Sequence, residues 1–447
     1  MLEKMFKLKE NNTNVRTEVV GGLTTFMTMA YILAVNPAIL SASGMDATAI
    51  LMATALAAFV GTVCMALLAN YPFALAPGLG LNAYFAYTVC GAMGYSWQFA
   101  LFAVFVEGLV FVVLSVTNVR EAIFNAIPLT LKKGVSVGIG LFVAFIGLQN
   151  GSVVVNSDAT LVTIVNFRED FTNVGICALL ALIGVIIISI LYVKKVKGSI
   201  LIGIVATWIL GIICELTGLY TGGSCLPHWS TFNLSAIGLT FGQCFSAEAF
   251  ANFKILDFII IMFAFLFVDI FDTLGTLIGC ADKANMLDRN GKLPRIKQAL
   301  LADSIATSVG AILGTSTTTT FVESSAGVSE GARTGLASIV TGLLFLLSIF
   351  LSPLFIAIPS FATAPALIFV GFLMITAIKG VDFSDLTEAI PAYLALIAMP
   401  ILYSISEGIA VGVVSYVLIN ACTGKAKKVS PLMYVLAVLF VLKYLFL

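Results

Sequence analysis

The stretch FVDIFDTLGTLIG at 267–279 lies within an apolar run from Ile255 to Ile278, and it decides how the chain is read. As a helix rising about 1.5 Å per residue, a run of that length crosses the hydrocarbon core of a bilayer. Asp269 and Asp272 sit deep inside it. An ionised carboxylate at the bilayer centre costs at least about 3 kcal/mol on insertion scales unless it faces a partner or a watery cavity. The two acids therefore point to a substrate or proton site, with bracing of neighbouring spans as the alternative. Asp269, Asp272, Thr273 and Thr276 recur at three- and four-residue spacing and form one polar stripe. Gly275 and Gly279 are expected to admit a close backbone neighbour.

The rest of the chain has the composition this helix implies. Of 447 residues, 60% are hydrophobic and only 10% charged, with a mean hydropathy of +1.08, far outside the range of soluble domains. Fourteen apolar segments can be marked as spans, from 20–40 to 406–423, and a further apolar stretch at 431–447 either crosses or lies along the interface. With the N-terminus inside, twenty of the 23 Lys and Arg fall on cytoplasmic segments, as the positive-inside rule requires. This reads as a multi-pass protein of the plasma membrane whose N-terminus is cytoplasmic. The basic clusters are short and stand at span ends, which argues against a nucleic-acid partner. The first eighteen residues are polar and charged, so the first span is expected to act as the insertion signal. The eight Cys show no metal-ligand spacing. Cys225 and Cys244 share the long external loop, where they either pair or remain free thiols, and His228 in that loop reads as a solvated residue. No glycine-rich phosphate loop precedes a Lys-Ser/Thr pair. Coupling is therefore expected to draw on an ion gradient, with no metal or cofactor.

Residues 1–18 form the N-terminus, and the external loop at 219–253 leaves seven candidate spans on each side. Seven is odd, so the second half enters the membrane in the opposite sense, as in an inverted repeat. In each half the third span cannot be a plain helix. In YPFALAPGLGLNAYFAYT (71–88), Pro72, Pro77, Gly78 and Gly80 block helix before Asn82; in GTSTTTTFVESSAGVSEGA (314–332), a threonine run favours extended chain before Glu323. Both read as a short extended piece followed by a half-helix. Such backbone is tolerated at membrane depth only when buried in protein or lining a cavity.

Glu323 at the head of its half-helix either contacts substrate or caps the helix, and Ser324 beside it joins the candidate contacts. Asn82 either pairs with a polar heterocycle or ties the two broken spans together. Phe267 and Phe321 flank the polar positions and are candidates for stacking on a flat ligand. Asp303 reads as a brace through backbone hydrogen bonds, Glu330 and Arg333 as a surface pair, and the role of Glu107 is open.

Four blocks carry a resemblance: EVVGGLTTFMTMAYILAVNP (18–37), APGLGLNAYFAY (76–87), FVDIFDTLGTLIG (267–279) and TSTTTTFVESSAG (315–327). From about Arg16 onward the chain resembles the AzgA-like purine permeases, a branch of the nucleobase–cation symporter families. The resemblance implies an all-α fold of fourteen spans in a seven-plus-seven inverted repeat. It implies a core domain of spans 1–4 (19–118) and 8–11 (254–357) and a gate domain of spans 5–7 (119–218) and 12–14 (358–423), followed by a basic segment and apolar helix at 424–447. The gate usually supplies a homodimer interface. Residue by residue, Asp269 and Glu323 correspond to acids that contact the purine, Asn82 to a polar residue near the site and Asp272 to an acid needed for function. The expectation is secondary active import of adenine, guanine or hypoxanthine by proton symport with alternating access. Glu323, Asp269 and Asp272 are then the proton-coupling candidates, and Thr273, Thr276, Gly80 and Asp303 support them. A sulfate-permease-type anion transporter is the first rival, disfavoured because buried acids repel an anion. A membrane enzyme or sensor that binds a base without moving it is the second.

Overall fold

In a computed structural model the chain is described for residues 2–117, 127–227, 233–251, 253–287 and 293–446. His228 lies outside them. The protein is helical and polytopic, with ten helices among the described residues long and apolar enough to cross a membrane. Several begin at a side-chain cap that satisfies an otherwise orphan N–H: Asn14 accepts from Thr17, Asp46 from Ala49 and Ser96 from Phe99.

The helices sort by packing into two groups. In one, Val15–Met29, Ala47–Cys64, Trp97–Val116, Ile296–Leu313 and Gly335–Ser348 pack on one another. In the other, Leu129–Asn150 lies against Ser360–Ile375 and Leu386–Ile401, with Ile176–Val193, Ser199–Leu216 and Ile405–Cys422 around them. Small residues allow these approaches: a Cβ on Gly371 would meet the Gly140 carbonyl at 2.4 Å, and one on Gly108 would meet the Ser308 hydroxyl at 2.3 Å.

Strand β1 (Leu75–Pro77) precedes the half-helix Leu79–Ala83, and in the second half a strand at Thr318–Thr320 precedes the half-helix Ser324–Ser329. These two strands pair antiparallel, Leu75 opposite Thr320 and Pro77 opposite Thr318, so the two broken spans cross at one point inside the first group. The intervening hairpin of β2 (Val154–Ser157) and β3 (Leu161–Ile164) leaves Thr318–Thr320 as β4. That hairpin lies where the sequence reading has only a loop; the β-branched run at 153–165 suits it.

The two groups meet along the half-helix that follows β1 and its continuation Tyr84–Ala92. Thr88 donates to the Tyr403 carbonyl at 3.4 Å, and a Cβ on Gly80 would come within 2.6 Å of Ile139. At another junction Lys197 pairs with Glu330 at 2.8 Å. The expected Glu330–Arg333 pair is therefore corrected. Arg333 instead donates from its guanidinium to the Val328 and Ala332 carbonyls, and its backbone N–H goes to Glu18. The reversal at Gly331, φ +99°, separates the two side chains. Cys225 and Cys244 are free and buried against different helices, Ser199–Leu216 and Trp97–Val116.

Candidate functional site

The strand crossing organises a set of polar side chains. Asp272 and Glu323 are its two partly accessible carboxylates. Asp272 Oδ2 lies 3.5 Å from the Thr319 hydroxyl on β4, and a Cβ on Gly78 would stand 3.4 Å from the same oxygen. Glu323 stands at the N-cap of Ser324–Ser329 but makes no capping bond with its side chain. Its Oε1 accepts from the Tyr31 hydroxyl at 2.7 Å. Tyr31 comes from the irregular turn between helices Val15–Met29 and Ile32–Leu40 and is buried.

Asp269 is in a different environment. It is fully buried, as is Asp303, and the Thr273 hydroxyl lies between them, 2.9 Å from Asp269 Oδ1 and 3.0 Å from Asp303 Oδ1. The polar stripe of the helix thus divides: Asp269 and Thr273 turn toward helix Ile296–Leu313, while Asp272 and Thr276 reach accessible space. Asp303 braces this helix through a side-chain hydroxyl. Gly275 and Gly279 do not receive a close neighbour: nothing lies within 4 Å of a Cβ built on either, and both are exposed. That expectation is overturned because this side of the helix is exposed instead of packed against another backbone.

Other polar groups hold the two broken spans to each other. Asn82 is fully buried and its Oδ1 accepts from the Ser316 hydroxyl. Ser324 Oγ accepts the Ala74 N–H at 2.9 Å, and the Phe321 N–H goes to the Ala74 carbonyl at 3.0 Å. Gly78 N–H donates to the Thr317 carbonyl, and the Thr317 hydroxyl donates to Glu107 at 2.8 Å. Glu107 thus meets the second broken span from helix Trp97–Val116. Asn36, unremarked in the sequence, donates to Thr54 and Thr315 at 2.6 and 3.1 Å. Phe267 and Phe321 are both buried in the main apolar cluster. Tyr31 and Asn36 have no polar neighbours in sequence that mark them, so only the fold brings them forward.

Chemically, the arrangement provides two accessible carboxyl groups that accept N–H donors or carry protons, one of them held by a tyrosine. The lining of β1 and β4 keeps backbone polar groups paired, as a site at membrane depth requires.

Comparison with known proteins agrees with this architecture. The profile of the Permease family matches residues 16–433. The guanine/hypoxanthine permease PbuG of Bacillus subtilis is 45% identical over all of this chain and all of its own length. The adenine permease AdeP of Escherichia coli is 42% identical over all of this chain and 96% of its own. Among solved structures, the transmembrane domain of the cyanobacterial bicarbonate transporter BicA superposes with a TM-score of 0.65 over 90% of this chain and 97% of that one, at 18% identity. At that identity the likeness speaks for the fold alone.

Proposed function

The chain belongs to the Permease family, in its AzgA-like purine branch and as a transporter, not an enzyme, and from that premise we propose that it imports purine nucleobases by proton symport. Two partly exposed acids beside the crossing of the broken spans, Asp272 at Thr319 and Glu323 at the head of the half-helix, are the observation that carries this reading. Ring and exocyclic N–H groups of a neutral purine donate to carboxylates. Two carboxyl groups at close quarters in a poorly hydrated site do not both remain ionised without cost, so one takes up a proton with the substrate. Asp269 acts from behind, through Thr273 and Asp303, and Asn82 and Ser324 hold the crossing together.

The arrangement inferred for this function is fourteen spans in a seven-plus-seven inverted repeat. The first helix group then serves as the core domain and the second as a gate that also forms a homodimer. Substrate release follows from movement of one group against the other at the junctions of Thr88 with Tyr403 and Glu330 with Lys197. The N-terminus lies in the cytoplasm.

The test is uptake of labelled adenine, hypoxanthine, guanine and uracil into proteoliposomes with and without an inward proton gradient. Gradient-dependent accumulation of a purine is expected. Absence of purine accumulation in either condition overturns the proposal, and normal proton-driven uptake by Glu323→Gln overturns the role of that acid.

A further inference from the structure

Helix Ile255–Lys283 changes the side it leaves open. Over its first turns the exposed residues are Ile255, Leu256, Ile259 and Phe263, all large and apolar, with Ile259 and Phe263 each 40% exposed. Lipid suits such a surface. Over its last turns the open or partly open positions among those whose exposure is described are Asp272, Gly275, Thr276 and Gly279, and none of these four carries a large apolar side chain. Phe263 and Asp272 are nine positions apart, about two and a half turns, so the two open faces lie on opposite sides of the same helix. A single lipid contact cannot account for both.

The half-helix Ser324–Ser329 touches this helix and has a matching face. Ser325 and Ala326 are partly open and Ser329 is exposed, again without bulk. Each face begins at one of the two accessible acids, Asp272 on one helix and Glu323 on the other. Both run to the same end of the molecule, where Ala284 and Asn285 share a cavity of about 550 Å³ with Gly331 and Arg333. By its positive charge this end is cytoplasmic.

We propose that these two faces are the walls of the release passage, and that the small side chains at Gly275, Thr276 and Gly279 set a cross-section that lets a flat, bicyclic base slide from the acids to the cytoplasm. The proposal rests on the purine reading above. It assigns to the two glycines a role in selecting substrate by width, where the packing of helices makes no demand for glycine.

Cysteine substitution separates the possibilities. Gly279→Cys and Thr276→Cys, with Ile259→Cys as a lipid-facing control, are treated in inside-out and right-side-out vesicles with a charged, membrane-impermeant methanethiosulfonate, and the wild-type chain corrects for native thiols. The first two are expected to react from the cytoplasmic side only, to be protected by saturating purine, and to lose uptake once modified, each relative to its own unmodified level. Thr276→Cys, nearly isosteric, preserves the test if Gly279→Cys does not fold. If both react no faster than Ile259→Cys, or react and keep their uptake, the passage is refuted. Should the wild-type chain accumulate no purine, the transport reading fails instead, and the labelling pattern still reports on the opening.

Discussion

Replacing Thr273 by Val tests whether Asp269 and Asp303 share one hydroxyl. A hydroxyl has a single proton to give, so Thr273 donates to one of them, and its contact with the other is a hydrogen bond only when that carboxyl carries its own proton. The two distances place the carboxyl oxygens no more than about 6 Å apart, where two full charges would repel by about 3 kcal/mol at an effective dielectric of about 20, which favours the form in which one holds a proton. Valine keeps the shape and removes the donor; a lost hydrogen bond to a charged group costs about 1.5–3 kcal/mol. At about 2 °C per kcal/mol for a long chain, the apparent Tm of the purified protein in detergent, followed by tryptophan fluorescence, should fall by roughly 5 °C. Asp303→Asn fixes an uncharged group at that position, so the loss caused by Thr273→Val should differ between the two backgrounds by about 1 kcal/mol. A Thr273→Val protein that melts within about 1 °C of wild type, or whose loss is unchanged by Asp303→Asn, would refute the shared bridge.

Glu18, fully buried, accepts the N–H groups of Arg333, Thr334 and Ala337 at 2.8, 3.3 and 3.2 Å. Glu18→Ala should cost about 3 kcal/mol or more by orphaning them, and Glu18→Gln less, as read by the yield of monodisperse protein on size-exclusion chromatography. Gly80→Ala places a methyl group 2.6 Å from Ile139; uptake should fall, and Ile139→Ala in the same chain should restore part of it, whereas no recovery would show that Gly80 serves something other than this approach. Asp385 is held well below the usual carboxylate range, chiefly by the Thr387 hydroxyl and then by Lys428 and Lys425. Its tie to the C-terminal segment is therefore fully present above the ordinary Asp value of about 3.9 and is lost as pH falls through the lower folded value. Protease cleavage after Lys425 should be slow at neutral pH and faster in Lys428→Ala.

Much of this architecture is legible because its causes are local. Proline, glycine and a run of threonines break helix wherever they stand, so the two interrupted spans at 71–88 and 314–332 can be found without a fold. Acids inside an apolar run are likewise conspicuous. What is not legible is which acid opens to the site. Asp269 and Asp272 are three residues apart on one helix, near enough in angle that only the neighbours decide. Helix Ile296–Leu313 covers Asp269 and leaves Asp272 open. The same lack of a local signal explains why a close neighbour is expected at Gly275 and Gly279 although both are exposed.

A polytopic helical membrane protein, the two broken spans and the set of buried acids can all be read along the chain, because hydropathy, helix breaking and the cost of a charge in hydrocarbon are properties of single residues and short windows. The pairing of β1 with β4, the hold of Tyr31 on Glu323 and the meeting of Glu107 with Thr317 emerge with the three-dimensional packing. Those partners stand hundreds of positions apart, and their pairing depends on which helices can approach across small residues. Packing of that kind leaves no periodic trace along the chain.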